Sequence, residues 1–145
     1  FKRSGEPICG SVMQDMPNTP QGNWFYGDTT DYNTYSNWNS HLSVVHDNFN
    51  TQIGVIGIAG TITTPKVLMF TPQTNGEINR EPSSIDEGNT IYCYQSEQTL
   101  ADFKYVTGSL LMQLVNATTL KVEWRENNCS GGNYNFSTNA KEYSR

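Results

Sequence analysis

Short runs of β-branched and aromatic residues recur along most of the chain, and clusters of Gly, Asn, Asp, Ser and Pro separate them. From Gly22 onward the runs return about every 8–12 positions, a spacing typical of a β-sandwich or β-barrel. The pattern predicts strands at residues 23–26, 41–46, 51–59, 66–71, 77–80, 90–95, 110–115 and 118–124, with 134–137 and 140–143 supplying a closing strand.

The clearest alternation lies in residues 118–124, where every second residue is apolar. Because strand side chains point alternately to opposite faces, this run predicts one face toward the core and one toward water. The inward set is Leu120, Val122 and Trp124, and the set facing water is Lys121, Glu123 and Arg125.

Two local signals refine this outline. Asn75-Gly76 is a strong signal for a type I′ hairpin turn, because both central residues of that turn need a positive φ. Residues 77–80 are therefore predicted to pair back across it. Residues 98–105 carry a plausible helical stripe of one or two turns.

About eight short, sequential and mostly antiparallel strands favour an all-β up-and-down barrel, because closure removes exposed strand edges. A two-sheet β-sandwich is the alternative. Residues 1–20 hold three of the six prolines and little periodicity, so we interpret them as an irregular N-terminal arm. Residues 21–145 then form a single barrel domain.

The composition excludes two classes of partner. The net charge of −5 argues against nucleic acid, which is bound through clustered Lys and Arg. No apolar run approaches the roughly 18 residues that span a bilayer as a helix. Self-association remains possible at this stage.

The chain contains three cysteines, Cys9, Cys93 and Cys129. Their spacing and that of the two histidines match no zinc site, so we predict no metal. A Cys93–Cys129 disulfide would tie a late strand to the C-terminal strands, and it would place the protein in a secreted, extracellular or periplasmic setting. Three free thiols in a cytosolic protein are the alternative. Cys9 is then left over, either free or paired with another chain.

Three N-x-S/T sequons begin at Asn116, Asn128 and Asn135, and they are possible glycosylation sites in surface turns.

The tripeptide Gly22-Asn23-Trp24, near the start of the first strand, resembles the G-x-W signature of the calycins, the lipocalin and avidin-type barrels. The resemblance implies that Trp24 closes one end of the barrel and stacks under a basic side chain from the last strand. Arg145 or Arg125 would supply that side chain. It also implies small-ligand binding.

Catalytic signals are weak. His41 and His46 project to opposite sides of one strand and cannot chelate one metal. We favour a non-enzymatic protein, keep a hydrolase that uses His41 or His46 as the third candidate function, and predict no cofactor.

Aromatic residues carry more information. Several crowd into residues 24–38 among Asn and Thr, and such side chains offer flat amphipathic surface to glycans or proteins. The alternative is that Trp24 lies in the core and the tyrosines cover a barrel mouth. Arg80 and two tyrosines of a later strand are further candidates. The ligand-binding candidates are Trp24, Tyr26, Tyr32, Tyr35, Trp38, Arg80, Tyr92 and Tyr94.

The residues therefore favour a secreted, non-enzymatic β-barrel that binds a small molecule, a glycan or a protein partner. The alternative is a structural or assembly subunit of an extracellular surface or appendage, because a low-charge surface and an unpaired cysteine suit assembly.

Overall fold

The structure, a computed structural model, describes residues 14–27, 35–97 and 105–145. One sheet of eight strands has the spatial order β4-β3-β2-β1-β8-β7-β6-β5, and every neighbouring pair is antiparallel. It curls into a nearly closed up-and-down barrel, which confirms the predicted fold class over the sandwich. The strands are β1 (Gly22–Tyr26), β2 (His41–His46), β3 (Gly54–Ile58), β4 (Lys66–Phe70), β5 (Tyr92–Tyr94), β6 (Ser109–Asn116), β7 (Thr119–Arg125) and β8 (Lys141–Ser144).

Apolar side chains fill the barrel interior, and every strand contributes at least one of them. The inward-facing residues predicted for β7 are confirmed: Leu120 and Val122 are fully buried, and Trp124 packs against the core. The buried cluster consists of Trp24, Leu42, Val44, Ile56, Ile58, Leu68, Phe70, Ile85, Tyr94, Leu110, Met112, Leu114, Leu120, Val122 and Tyr143.

The barrel closes between β4 and β5 by side chains and loop backbone rather than by a strand ladder. The Phe70 ring meets the Tyr94 ring edge-on, with centroids 5.1 Å apart. Just beyond β5, the backbone N–H of Glu97 donates to the carbonyl oxygen of Met69 at 3.0 Å. The Glu97 carboxylate also accepts from the backbone N–H and the hydroxyl of Thr71, at 2.8 and 2.9 Å. These contacts join the two ends of the sheet without a strand ladder between them.

The prediction of a type I′ hairpin turn at Asn75-Gly76 is wrong. Gly76 has a positive φ of 78°, but Asn75 has no positive φ, and a type I′ turn needs both. Residues 77–80 do not pair back along β4. Instead, isolated bridges link Ile78 to Cys93 of β5 and Arg80 to Gln73. The segment thus lies between the chain that follows β4 and β5, and its backbone pairs on both sides: the Asn79 N–H donates to the Cys93 carbonyl oxygen at 2.9 Å, and the Asn79 carbonyl oxygen accepts from the Gln73 N–H at 2.8 Å.

One end of the barrel is closed by Trp24 and Arg145. The indole Nε1 donates to the carbonyl oxygen of Pro20 at 2.8 Å, and the Arg145 guanidinium carbon lies 4.2 Å from the ring centre. Arg145 also donates to the carbonyl oxygens of Met16, Thr19 and Gln21. The G-x-W resemblance allowed Arg145 or Arg125 to stack on Trp24, and Arg145 is the one that does so. The barrel is compatible with a calycin-like architecture.

Glu123 was predicted to face water, and that prediction is wrong. Its side chain does point to the outer face of β7, but the residue is only 2% exposed. Arg125 donates to it at 3.1 Å, and both the backbone N–H and the hydroxyl of Ser137 donate to its carboxylate. The segment that carries Ser137 therefore covers this part of the outer face, which local alternation cannot reveal.

A disulfide joins Cys93 of β5 to Cys129, as predicted. It ties the segment after β7 to the edge strand of the sheet. Cys9 lies outside the described residues. Within the described ranges, no helix is long and apolar enough to cross a membrane. Almost all of the predicted helical stripe also falls outside the described part of the chain.

Candidate functional site

An open groove of about 470 Å³ crosses the outer face of β2, β3 and β4. The lining combines apolar side chains with a few polar ones. Its residues are Trp38, His41, Ser43, Gly57, Ile58, Ala59, Pro65, Lys66 and Val67. The groove therefore offers flat apolar surface together with hydrogen-bonding groups, a combination common in binding sites.

Strand alternation and register build the groove floor. Leu42 and Val44 point into the core, so His41 and Ser43 of β2 point outward. Ser43 lies directly opposite Gly57 of β3. A Cβ atom on Gly57 would stand 2.7 Å from the Ser43 Oγ, so the missing side chain leaves room above the sheet.

Trp38 is the exposed aromatic residue of the groove. It belongs to the 3-10 helix Tyr35–Ser40, which leads directly into β2. Its side chain is 55% exposed, although tryptophan side chains usually bury most of their area. The short helix thus places an accessible indole ring beside the outward-facing residues of β2.

His41 is held in place from two sides. Its Nε2 lies 2.8 Å from the Asn23 Oδ1, and its ring stacks on Phe25 with centroids 5.3 Å apart. Asn23 is in turn held by Asp15, whose Oδ1 accepts from the Asn23 backbone N–H at 2.7 Å. Burial lowers the pKa of His41, although the negative charge of Asp15 acts in the opposite direction. A neutral, fixed imidazole is suited to hydrogen bonding with an uncharged ligand.

Lys66 lines one end of the groove, but its ammonium group is engaged elsewhere. The Nζ donates to the Thr64 hydroxyl at 3.0 Å and lies 5.3 Å from the centre of the Trp124 ring. The Lys66 ammonium is thus already paired with a neighbouring aromatic ring. On the sheet surface itself, His41 and Ser43 are the polar side chains that line the groove.

The structure separates most of the other predicted ligand-binding residues from the groove. Trp24 and Tyr94 are buried in the core, and the Tyr94 hydroxyl donates to the Arg80 carbonyl oxygen at 2.8 Å. Tyr92 packs against the core beneath the Arg80 guanidinium, 5.8 Å away. Burial raises the pKa of Tyr94 well above its usual value.

Tyr26 is partly exposed and contacts Tyr143, with ring centroids 5.7 Å apart. Tyr32 lies outside the described residues, as does the side chain of Tyr35. Among the predicted binding residues whose side chains the structure describes, Trp38 is the one that lines the groove.

A second, smaller cavity of about 200 Å³ lies beside the disulfide. Arg125, Asn127, Asn128 and Asn135 contribute to its mainly polar wall. It is less than half the volume of the groove, and none of the predicted ligand-binding residues lines it.

His46 meets a carboxylate, yet it forms no catalytic arrangement. Its Nε2 lies 3.0 Å from the Glu81 Oε2, while the Ser83 hydroxyl donates to the other oxygen of Glu81 at 2.8 Å. The carboxylate thus stands between serine and histidine, whereas a triad needs the histidine between the other two groups. Neither cavity is lined by His46 or Glu81. Within the described ranges, no group of three or more His, Cys, Asp or Glu residues is arranged to hold a metal ion.

Sequence reasoning placed His41 and Ser43 on one face, but it missed the groove. Gly57 and Val67 carry no chemical signal of their own in the sequence. Their role depends on the register that sets Ser43 opposite Gly57 and Gly57 opposite Val67. That register is a long-range property of three strands.

No family model, curated protein or solved structure matches this chain. The fold and the groove are therefore the basis for assigning a function.

Proposed function

We propose that this chain is a secreted, non-enzymatic β-barrel that binds a glycan in the outer groove. The observation that carries the proposal is the exposed Trp38 ring beside the outward-facing His41 and Ser43. The less polar face of a sugar ring packs against an indole face, and its hydroxyl groups pair with neighbouring polar side chains. A calycin-like ancestry and secretion are parts of the same proposal, supported by the Trp24–Arg145 contact and by the disulfide.

The filled interior favours the outer groove over a ligand inside the barrel. A barrel that holds a ligand in its lumen needs an apolar cavity with a few convergent polar groups. Here Leu, Ile, Val and aromatic side chains from all eight strands occupy that space. The Tyr94 hydroxyl already donates a hydrogen bond to the Arg80 carbonyl oxygen, so it is not a free polar group inside the barrel.

The groove suits a neutral saccharide better than a charged one. Lys66, the charged residue of its lining, directs its ammonium to Trp124. The pKa of His41 is lowered, which favours an uncharged imidazole near neutral pH. A hydroxyl-rich ligand needs no counter-charge and forms hydrogen bonds with Ser43 and His41.

The test is a glycan array followed by calorimetric titration with the neutral oligosaccharides that bind. We expect Trp38→Ala to weaken binding at least tenfold, a loss of about 1.4 kcal/mol. Phe49→Ala is the matched control, because Phe49 is 56% exposed against 55% for Trp38 and does not line the groove. Absence of saccharide binding by the wild-type chain, or an equal loss in both variants, would refute the proposal.

An assembly role is the second candidate, and the outer face of β4 supports it. Val67 is 50% exposed in the middle of this strand and lines the same groove as the exposed Trp38. Contiguous exposed apolar surface of this kind favours contact with another chain. Concentration-dependent size-exclusion chromatography of wild type and Val67→Lys distinguishes the two roles, since self-association through this face would decrease in the variant.

A further inference from the structure

We infer that Asn116 is the N-glycan acceptor of this protein, and that Asn128 and Asn135 are not modified. All three asparagines begin sequons, yet the structure gives them different surroundings. The proposal is independent of ligand binding in the groove. It requires passage through a compartment that contains an oligosaccharyltransferase, and the disulfide supports an oxidising route of that kind.

The Asn116 sequon occupies the hairpin between β6 and β7. Asn116 pairs with Thr119, so Ala117 and Thr118 form the turn. The Asn116 Oδ1 accepts from the Thr118 backbone N–H at 3.0 Å and from the Thr118 hydroxyl at 3.2 Å. Both residues are exposed, and the turn is short. The acceptor amide and the hydroxyl that completes the motif are thus already in contact at the surface.

The transfer reaction uses these contacts. The Asn116 Nδ2 forms a bond to the anomeric carbon of a polyprenyl-pyrophosphate-linked oligosaccharide, the bond from that carbon to the pyrophosphate oxygen breaks, and Nδ2 loses one proton. An amide nitrogen is a weak nucleophile because its lone pair is delocalised onto the oxygen. Two donors on Oδ1 stabilise negative charge there, which makes the Nδ2 proton easier to remove.

Asn128 is engaged at both ends of its amide. Its Oδ1 accepts from the Gly108 backbone N–H at 2.9 Å, and its Nδ2 donates to the Tyr105 hydroxyl at 2.6 Å. The middle residue of its sequon, Cys129, is held in the disulfide. A glycan on Nδ2 would displace the contact with Tyr105 and crowd the small polar cavity that Asn128 lines.

The Asn135 sequon lacks an available hydroxyl. The Ser137 hydroxyl and backbone N–H both donate to the buried carboxylate of Glu123. The Asn135 carbonyl oxygen also accepts from the Arg125 Nη2 at 2.7 Å. Presenting this sequon to an enzyme would require release of Ser137 from Glu123, which would leave a buried carboxylate with fewer donors.

The experiment expresses the full chain through the secretory pathway of a eukaryotic cell line. Intact mass is measured before and after glycosidase release in heavy-oxygen water, which labels each former acceptor as aspartate. We expect one occupied site, lost in Asn116→Gln and in Thr118→Ala, restored in Thr118→Ser, and retained in Asn128→Gln and Asn135→Gln. An unmodified wild-type chain, a label at Asn128 or Asn135, or an unchanged mass in Asn116→Gln would overturn the inference. Circular dichroism of each variant shows whether the chain has folded.

Discussion

The Arg145 guanidinium lies 4.2 Å from the centre of the Trp24 ring, although the two residues are far apart in the sequence. The same guanidinium donates to three carbonyl oxygens of the segment that precedes β1. One side chain therefore covers the core tryptophan and holds the backbone that closes this end of the barrel. Burial lowers the pKa of Arg145, while nearby Asp15 acts to raise it.

We expect Arg145→Ala to lower the free energy of unfolding by about 2–4 kcal/mol, because it removes a cation–π contact and several charge-assisted hydrogen bonds. Arg145→Lys should recover part of this loss. A lysine keeps the positive charge, but it lacks the planar guanidinium whose several N–H groups donate to three carbonyl oxygens at once. Urea unfolding measures both variants. A change in Arg145→Ala below about 0.5 kcal/mol, within the range of ordinary surface substitutions, would contradict the structural role.

Two glycines of β3 provide a matched pair for testing core packing. A Cβ on Gly54 would stand 2.4 Å from the Phe70 ring, and that ring is confined by its contact with Tyr94. Gly54→Ala should therefore cost about 1–3 kcal/mol of stability through overpacking. Gly57→Ala should change stability by less than about 0.5 kcal/mol. There the one nearby atom is the Oγ of Ser43, which can rotate away.

Thermal unfolding of both variants checks this prediction, and a Phe70→Leu background provides the internal control. The cost of Gly54→Ala should shrink when the smaller leucine replaces the aromatic ring. Equal costs in the two backgrounds would show that the clash with Phe70 is not the cause.

The disulfide should be a major source of stability. It joins cysteines 36 positions apart, and the loop-entropy relation gives about 4 kcal/mol for a closed loop of that size. Replacing both Cys93 and Cys129 by Ala should lower the free energy of unfolding by this order. Ser130→Ala, an exposed position next to Cys129, is the control, and we expect a change below about 0.5 kcal/mol. A loss in the double cysteine variant no larger than that of Ser130→Ala would contradict the prediction.

Glu123 should make stability depend on pH in the acid range. Burial alone would raise the pKa of Glu123, but hydrogen bonds from Ser137 and Arg125 outweigh burial and lower it. A lowered folded-state pKa stabilises the fold above the unfolded value of about 4.3, and this contribution is lost as the pH falls through the folded pKa.

At pH 7, Glu123→Gln should lower the free energy of unfolding by about 1–3 kcal/mol, because the glutamine NH₂ group would face the hydrogen-bond donors that the carboxylate now accepts from. Below about pH 4 the loss should be smaller, because the carboxylate of the wild type loses its own contribution there. Urea unfolding from pH 7 to pH 3 measures the difference. Glu87→Gln, at an exposed turn, is the control. A difference between wild type and Glu123→Gln that stays constant with pH would exclude this titration as the cause.

Strand positions and the core were predictable because they depend on local alternation. The strand predicted at residues 41–46 matches β2 at both ends, and Leu120 and Val122 face inward as expected. The closing position of Trp24 was implied by the G-x-W resemblance rather than by alternation, and Trp24 is fully buried at that end of the barrel. A side chain's direction along a strand follows from the period of two, which the sequence displays directly.

The groove and the burial of Glu123 were not predictable in this way. Glu123 occupies an outward position in β7 and becomes buried because the distant Ser137 segment crosses over it. Gly57 forms part of the groove floor because β2 and β3 pair with Ser43 opposite it. Both features depend on contacts between separate segments, and the local residue pattern of neither segment indicates that they meet.

The sequence by itself thus determined an all-β chain and the inward residues of its main strands, and it predicted the Cys93–Cys129 disulfide that the structure contains. The tertiary structure alone decided that apolar side chains fill the interior, that Trp38 is exposed beside His41 and Ser43, and that Arg145 rather than Arg125 covers Trp24. The physical reason is that alternation is a property of neighbouring residues, whereas register and closure depend on interactions between segments far apart in the chain.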